Sequence, residues 1–224
     1  MYASNKGGSL LRQALRQSDP PAAVPTSTST PIFRPSNGLR EFWSGVERVQ
    51  HNEILDLGAM SQSNLSFITG RGYRLYTEDL IQVALHPAPQ PERSEEPQCS
   101  EEERFFSENM NYEEGQFAGV LCWDVFDILP ETLVNPFVEK LYYFLKPGGI
   151  LLALFHAGTP GESEEVPLHH YRISSINTLE VAVRTTGKLR RHINNRAIEK
   201  LFHRFSSLKF YLSRDKLREV IVVR

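Results

Sequence analysis

Cysteine is scarce, with Cys99 in a polar stretch and Cys122 in an apolar run as the only two in 224 residues. That excludes a disulfide framework and a four-cysteine zinc site, and a reducing compartment fits best. Long apolar runs are missing too. The longest, Ile150 to Ala157, is interrupted by His156 and falls far short of the roughly 20 residues of a membrane-spanning helix. Neither charge sign dominates, since 25 basic residues face 27 acidic ones for a formal charge of −2. Met1 to Gln17 shows no continuous apolar segment and no small-residue cleavage site, so no secretory signal is read there and a cytoplasmic location is expected. What is present is ordinary soluble composition, 40% apolar and 23% charged. The stretch from residue 39 onward is long enough to bury roughly 70% of its unfolded surface without staples.

From Ser18 to Asn37 the chain is rich in Pro, Ser, Thr and Ala and lacks apolar periodicity. Such a stretch cannot offset its ordering entropy, so residues 1–38 are expected to be a disordered tail before a domain at 39–224. Phe42, Trp43, Val46 and Val49 recur at helical spacing, and Ile54 to Gly58 reads as a short strand ending in a glycine turn. Ser61 or Ser63 can cap a helix over Asn64 to Thr69, and Tyr73 to Thr77 reads as the next strand, followed by Glu78-Asp79. This is a βαβ unit with parallel strands. Residues 87–104, with four prolines and six glutamates, are expected to be a disordered acidic loop.

Regularity resumes with a continuously apolar strand, Gln116 to Trp123, of the kind found inside a sheet covered on both faces. Asn135-Pro136 reads as a helix start, and the helix ends at Pro147-Gly148-Gly149 before the strand Ile150 to Phe155. Gly158 to Leu168 reads as a polar loop, and Tyr171 to Ile176 and Leu179 to Val183 as strand material around Asn177-Thr178. A helix capped at Asn194 or Asn195 and two closing strands, Leu208 to Leu212 and Glu219 to Val223, complete the chain.

Strand, glycine turn, helix, strand and acid in that order form a nucleotide-binding arrangement, because the turn lets backbone approach a ligand and the acid can accept from ribose hydroxyls. With ILDLGAMSQSN (Ile54 to Asn64), FAGVLCWDVFDIL (Phe117 to Leu129), FLKPGGILLALF (Phe144 to Phe155), NRAIEKLFHRF and the closing REVIVVR, the chain resembles the class I S-adenosylmethionine-dependent methyltransferases over roughly residues 40–224. The resemblance implies a doubly wound, Rossmann-like α/β three-layer sandwich, with a mostly parallel seven-stranded sheet and an antiparallel terminal strand. It implies S-adenosyl-L-methionine as cofactor and a small-molecule or macromolecular methyl acceptor. Carried over, Asp56, Gly58 and Ala59 border the methionine end of the cofactor. Asp79 then Glu78 are the choices for the ribose diol, Glu108 for the adenine side, and Cys122 to Asp124 for the floor beneath the sulfonium. Where the family has Gly-x-Gly-x-Gly, this chain has Gly58-Ala59-Met60-Ser61-Gln62. A side chain at Met60 opposes close backbone approach, while Ser61, Ser63 and Asn64 offer donors near the helix start.

Methyl transfer is mainly alignment of a nucleophile with the sulfonium methyl, so no catalytic base is assigned. His156, His169 and His170 lie where the family often builds its acceptor pocket. Their spacing without cysteines does not form a zinc signature, and no metal is expected. Arg184, Lys188, Arg190, Arg191, Arg196, Lys200 and Arg204 make a basic stretch without interleaved aromatics, which reads as a solvated face rather than a nucleic-acid surface. The alternative functions are a catalytically inactive binding or scaffold protein in which Met60 fills the former cofactor turn, and a nicotinamide-dependent oxidoreductase.

Overall fold

The computed structural model describes residues 30–86, 100–157, 165–190, 193–212 and 217–224. Its elements are β1 (Ile32–Pro35), α1 (Asn37–Val46), β2 (Glu53–Asp56), α2 (Gln62–Thr69), β3 (Arg74–Thr77), α3 (Leu80–Leu85), α4 (Glu101–Asn109), β4 (Phe117–Cys122), α5 (Val125–Ile128), α6 (Glu131–Phe144), β5 (Leu145–His156), β6 (Glu165–Ser175), β7 (Thr178–Lys188), α7 (Asn195–Leu201), β8 (Ser207–Leu212) and β9 (Leu217–Val223). Among them no helix is long and apolar enough to cross a membrane.

The main sheet has six strands in the order β3-β2-β4-β5-β9-β8. The pairs β2/β3, β2/β4 and β4/β5 are parallel, and β9 runs antiparallel to both β5 and β8. Alternation along β5 explains the two cores: Leu151, Ala153 and Phe155 pack with Phe126, Phe137, Leu141 and Phe202 on one face. Ile150, Leu152 and Leu154 pack with Leu39, Phe42, Trp43 and Val46 of α1 on the other. The helix α1 lies very close to the sheet, since a Cβ on Gly119 would sit 2.6 Å from the Phe42 ring and 2.7 Å from Val46.

Four expectations are corrected. Six strands form the main sheet rather than seven, because the stretch between β3 and β4 contributes a helix among the described residues: Ser100 accepts from the Glu103 N–H and Glu103 accepts from the Ser100 N–H, a capping box that starts α4. Residues 101–104 of the expected acidic loop are therefore helical, while 87–99 lie outside the described residues. The helix α6 begins at Glu131, not at Asn135-Pro136. Leu133 and Val134 extend the buried stripe of Phe137, Val138 and Leu141, and this burial outweighs the hydrogen bond lost at Pro136.

The fourth correction concerns the expected tail. Residues 1–29 lie outside the described residues, but Ile32–Pro35 is a strand and residues 36–38 open α1. β1 adds to a second, three-stranded antiparallel sheet of order β1-β7-β6. Arg34 donates to Glu219 Oε1 at 2.9 Å, and Glu219 Oε2 accepts from the Gly38 N–H at 2.6 Å. A buried carboxylate on β9 thus holds both a buried guanidinium and the positive end of α1, where negative charge is favoured. Ser36 caps the helix through the Leu39 N–H and donates its own N–H to the Asn177 carbonyl.

Removing one partner of a buried pair leaves the other short of compensation. Glu219→Ala is expected to lower stability by about 3–5 kcal/mol, measured by urea unfolding. Gly119→Ala is expected to cost about 1–3 kcal/mol through overpacking against Phe42, and an unchanged urea midpoint would show that α1 can shift away from the sheet.

Candidate functional site at the strand ends

Parallel strands gather their following loops at one end, so the loops after β2, β4 and β5 converge. The turn after β2 carries Asp56, which is 1% exposed. Its Oδ1 accepts from the Gly58 N–H at 3.1 Å and from Trp123 Nε1 at 2.6 Å, and its Oδ2 accepts from Asn64 Nδ2 at 2.9 Å. Burial pushes its carboxyl above the usual range, against the pull of Trp123 and Asn64. Gly58 is needed for close approach: a Cβ there would sit 2.4 Å from Cδ1 of the Trp123 indole. Trp123 in turn stacks on Tyr171 of β6, with ring centroids 5.0 Å apart and planes at 11°.

The β6–β7 hairpin contributes most of the remaining contacts. The Asn64 amide behaves like a short piece of strand edge, its Oδ1 accepting from the Ile173 N–H at 2.7 Å and its Nδ2 donating to the Tyr171 carbonyl at 3.2 Å. Ser63 Oγ donates to the Ile173 carbonyl at 2.9 Å. Ser61 caps α2 through the Asn64 N–H. The Ala59 backbone meets the His170 ring, whose pKa is lowered by burial and by Arg172 and raised, to a lesser extent, by that backbone hydrogen bond. Tyr171 donates its hydroxyl to Asp124 Oδ1 at 2.6 Å, and burial together with the Asp124 charge holds that hydroxyl well above its usual range.

A bulge aims one more side chain. Leu168 pairs with Thr185 and His169 with Val183, so Arg184 is the extra residue on β7. Its guanidinium takes both oxygens of Asp79, at 2.9 and 2.7 Å, and also reaches Gln82 Oε1 at 2.9 Å. Asp79 additionally caps α3 through the Gln82 N–H. Glu78 is half-buried beside it, and burial, then the neighbouring Asp79 charge, raises its carboxyl.

The structure therefore brings Asp56, Gly58, Ala59 and Asp124 together beneath the hairpin, with Asp79 and Glu78 at the end of β3. It does not bring Glu108 into this group, since that residue is exposed on α4. Nor does the Cys122 side chain join this group. It is fully buried in the core on the α6 side of the sheet, and burial, followed by the charges of Asp124, Asp127 and Asp56, pushes its thiol well up. Met60 does not fill the turn as the inactive alternative expects, because its side chain is 71% exposed while Trp123 occupies the space over Gly58.

Two functional candidates are invisible to sequence spacing. Asp127, at 1% exposed, accepts from both the main-chain N–H of His156 at 2.8 Å and its Nδ1 at 2.9 Å. Burial raises the Asp127 carboxyl. Burial opposes charge on His156, but the Asp127 hydrogen bond and the Asp124 and Asp127 charges outweigh it and raise the imidazole. Tyr171 is the second, a strand residue with a hydroxyl on a buried acid. Two members of the basic stretch have separate acidic partners: Arg184 meets Asp79, and Arg204 meets Glu139 and stacks on Tyr142.

No family model matches the chain, and no curated protein matches it. Solved structures do resemble it. A 1,6-didemethyltoxoflavin-N1-methyltransferase of Burkholderia thailandensis, with bound 1,6-didemethyltoxoflavin and S-adenosylhomocysteine, is 10% identical with a TM-score of 0.48 over 84% of this chain and 76% of that one. An S-adenosylmethionine-dependent methyltransferase of Mesorhizobium loti is 11% identical at 0.47, over 82% of this chain and 96% of that one. The glycopeptide N-methyltransferase MtfA complexed with S-adenosyl-L-methionine is 14% identical at 0.45, over 88% and 98%.

Proposed function

We propose that the chain is an S-adenosylmethionine-type methyltransferase domain that keeps its cofactor cleft shut with its own β6–β7 hairpin. The cofactor class rests on the order of strand, Asp56-Leu57-Gly58 turn, helix, strand and Asp79 at the carboxyl ends of parallel strands. The closure rests on one observation: the Trp123 indole, stacked on Tyr171, sits directly against Gly58.

In this arrangement the residues do not accommodate a sulfonium nucleoside. Both oxygens of Asp56 are engaged by the protein, and both oxygens of Asp79 by Arg184. Entry of a cofactor requires the hairpin to move, which breaks the buried Tyr171–Asp124 and Asn64–β6 hydrogen bonds at about 1–3 kcal/mol each. The Arg184–Asp79 pair adds less, because both side chains are partly exposed. An opening penalty of about 4 kcal/mol weakens apparent affinity roughly 1000-fold.

A second reading, a binding or scaffold protein that carries out no methyl transfer, is favoured by the internal use of Ser61, Ser63 and Asn64. These are the donors a ligand carboxylate would need. Calorimetric titration of the full chain with S-adenosylmethionine, S-adenosylhomocysteine and NAD separates the cases. Weak or undetectable binding is expected for the wild type, with at least about 10-fold tighter S-adenosylhomocysteine binding in the Tyr171→Phe/Arg184→Ala double variant. Micromolar wild-type affinity would disprove closure. A double variant that stays folded yet binds no better would favour the scaffold, and a response to NAD alone the oxidoreductase.

A further inference from the structure

We infer that Asp124, His156 and His169 form a site for a divalent transition-metal cation, with zinc the best match. The three residues come from the ends of β4 and β5 and from β6, and their ligand atoms all lie within 4.8 Å of one another. Asp124 Oδ2 and His169 Nδ1 are 3.6 Å apart, close to the roughly 3.3 Å edge of a tetrahedron with the usual zinc–ligand bonds. The two imidazoles face one another at 6.3 Å between centroids and 20° between planes.

The supporting shell is what distinguishes this cluster from a chance meeting. A metal-bound histidine characteristically gives its other ring N–H to a carboxylate or carbonyl, which fixes its tautomer and orientation. His156 does this through Nδ1 and Asp127 Oδ2, and its main-chain N–H binds the same oxygen. That leaves Nε2 for a cation, its present neighbour being the Pro167 carbonyl at 3.3 Å. Asp124 is held in the same way, with Oδ1 accepting from the Tyr171 hydroxyl while Oδ2 faces His169.

Charge points in the same direction. Asp124 and Asp127 are both buried, and buried carboxylates need strong compensation. A divalent ion neutralises two charges where a single imidazolium neutralises one. Two imidazoles and a carboxylate suit zinc or ferrous iron, whereas calcium and magnesium prefer oxygen ligands alone. The chain positions, 124, 156 and 169, carry no short-range signature because β6 returns to the ends of β4 and β5 only through the fold. A cation here would fasten the hairpin to the main sheet. Its ligands and their supports are all in place in the closed arrangement, with no contribution from a cofactor in the cleft.

The test is zinc chloride titrated by calorimetry into the untagged full chain after chelator treatment, with cobalt(II) as a spectroscopic reporter. One zinc per chain is expected, with micromolar or tighter affinity, and cobalt(II) is expected to give the intense visible bands of a four-coordinate site. His156→Ala and His169→Ala should each weaken zinc at least about 100-fold and Asp127→Asn about 10- to 100-fold. The exposed His203→Ala should change nothing. Thermal melts in chelator verify that the variants fold. Zinc affinity unaltered by these substitutions overturns the inference. So does wild-type binding no tighter than about millimolar, the weak end of specific association. Should a variant fail to fold, the wild-type cobalt spectrum decides alone: intense bands support the site and their absence overturns it.

Discussion

A carboxylate removed from water must be met by donors or by charge, and among the described residues four such groups, Asp56, Asp124, Asp127 and Glu219, are buried in this fold. Their needs organise the molecule. Glu219 draws in Arg34 and the start of α1, so the segment before the domain becomes part of it. Asp56 takes the Trp123 indole and the Asn64 amide, while Asp124 takes the Tyr171 hydroxyl and Asp127 takes His156. Each of the four acids has a partner at least 29 positions away along the chain. Tertiary contact supplies these partners; local sequence does not.

The same bookkeeping of donors decides what the strand ends can do. A glycine turn at a switch point is useful to a ligand only while its N–H groups and flanking acids are unclaimed. Here Asp56 is used by Trp123, Asp79 by Arg184 of the hairpin, Ser63 and Asn64 by β6, and Ser61 by the first turn of α2 itself. Gly58 has a local reason: the indole lies where any side chain would begin. The side chains at 60 and 62 are accommodated because both residues are exposed, Met60 at 71%.

Much of the main sheet was legible because it depends on nearby residues. The apolar runs of Ile150 to Phe155 and of β4 act within a few positions, as do the helix caps, which fall on Ser61 rather than Ser63 and on Asn194 rather than Asn195. The capping box of Ser100 and Glu103 was equally local, but the glutamates around it read as a solvated run. What could not be read was destination. Nothing in Tyr171 or Arg184 says that their hairpin folds back over β2 and β4, because a strand's pattern records which face is buried and not what buries it. The direction of Trp123 was hidden for the same reason, and Cys122 beside it, on the opposite face of the pleat, went to the core.

Asp124 joins the proposed closure to the proposed cation cluster. Its Oδ1 secures Tyr171, which supports Trp123 over Gly58, and its Oδ2 faces His169 two residues earlier on the same strand. Because residues i and i+2 of a strand point to one face, docking Tyr171 necessarily delivers His169 to the same acid. The closed cleft and the Asp–His cluster are therefore one conformational event: any movement that uncovers Gly58 along β6 also takes His169 away from Asp124. Whatever stabilises the cluster holds the cleft shut, and whatever opens the cleft dismantles the cluster, a reciprocity that follows from linkage between two sites sharing one hairpin.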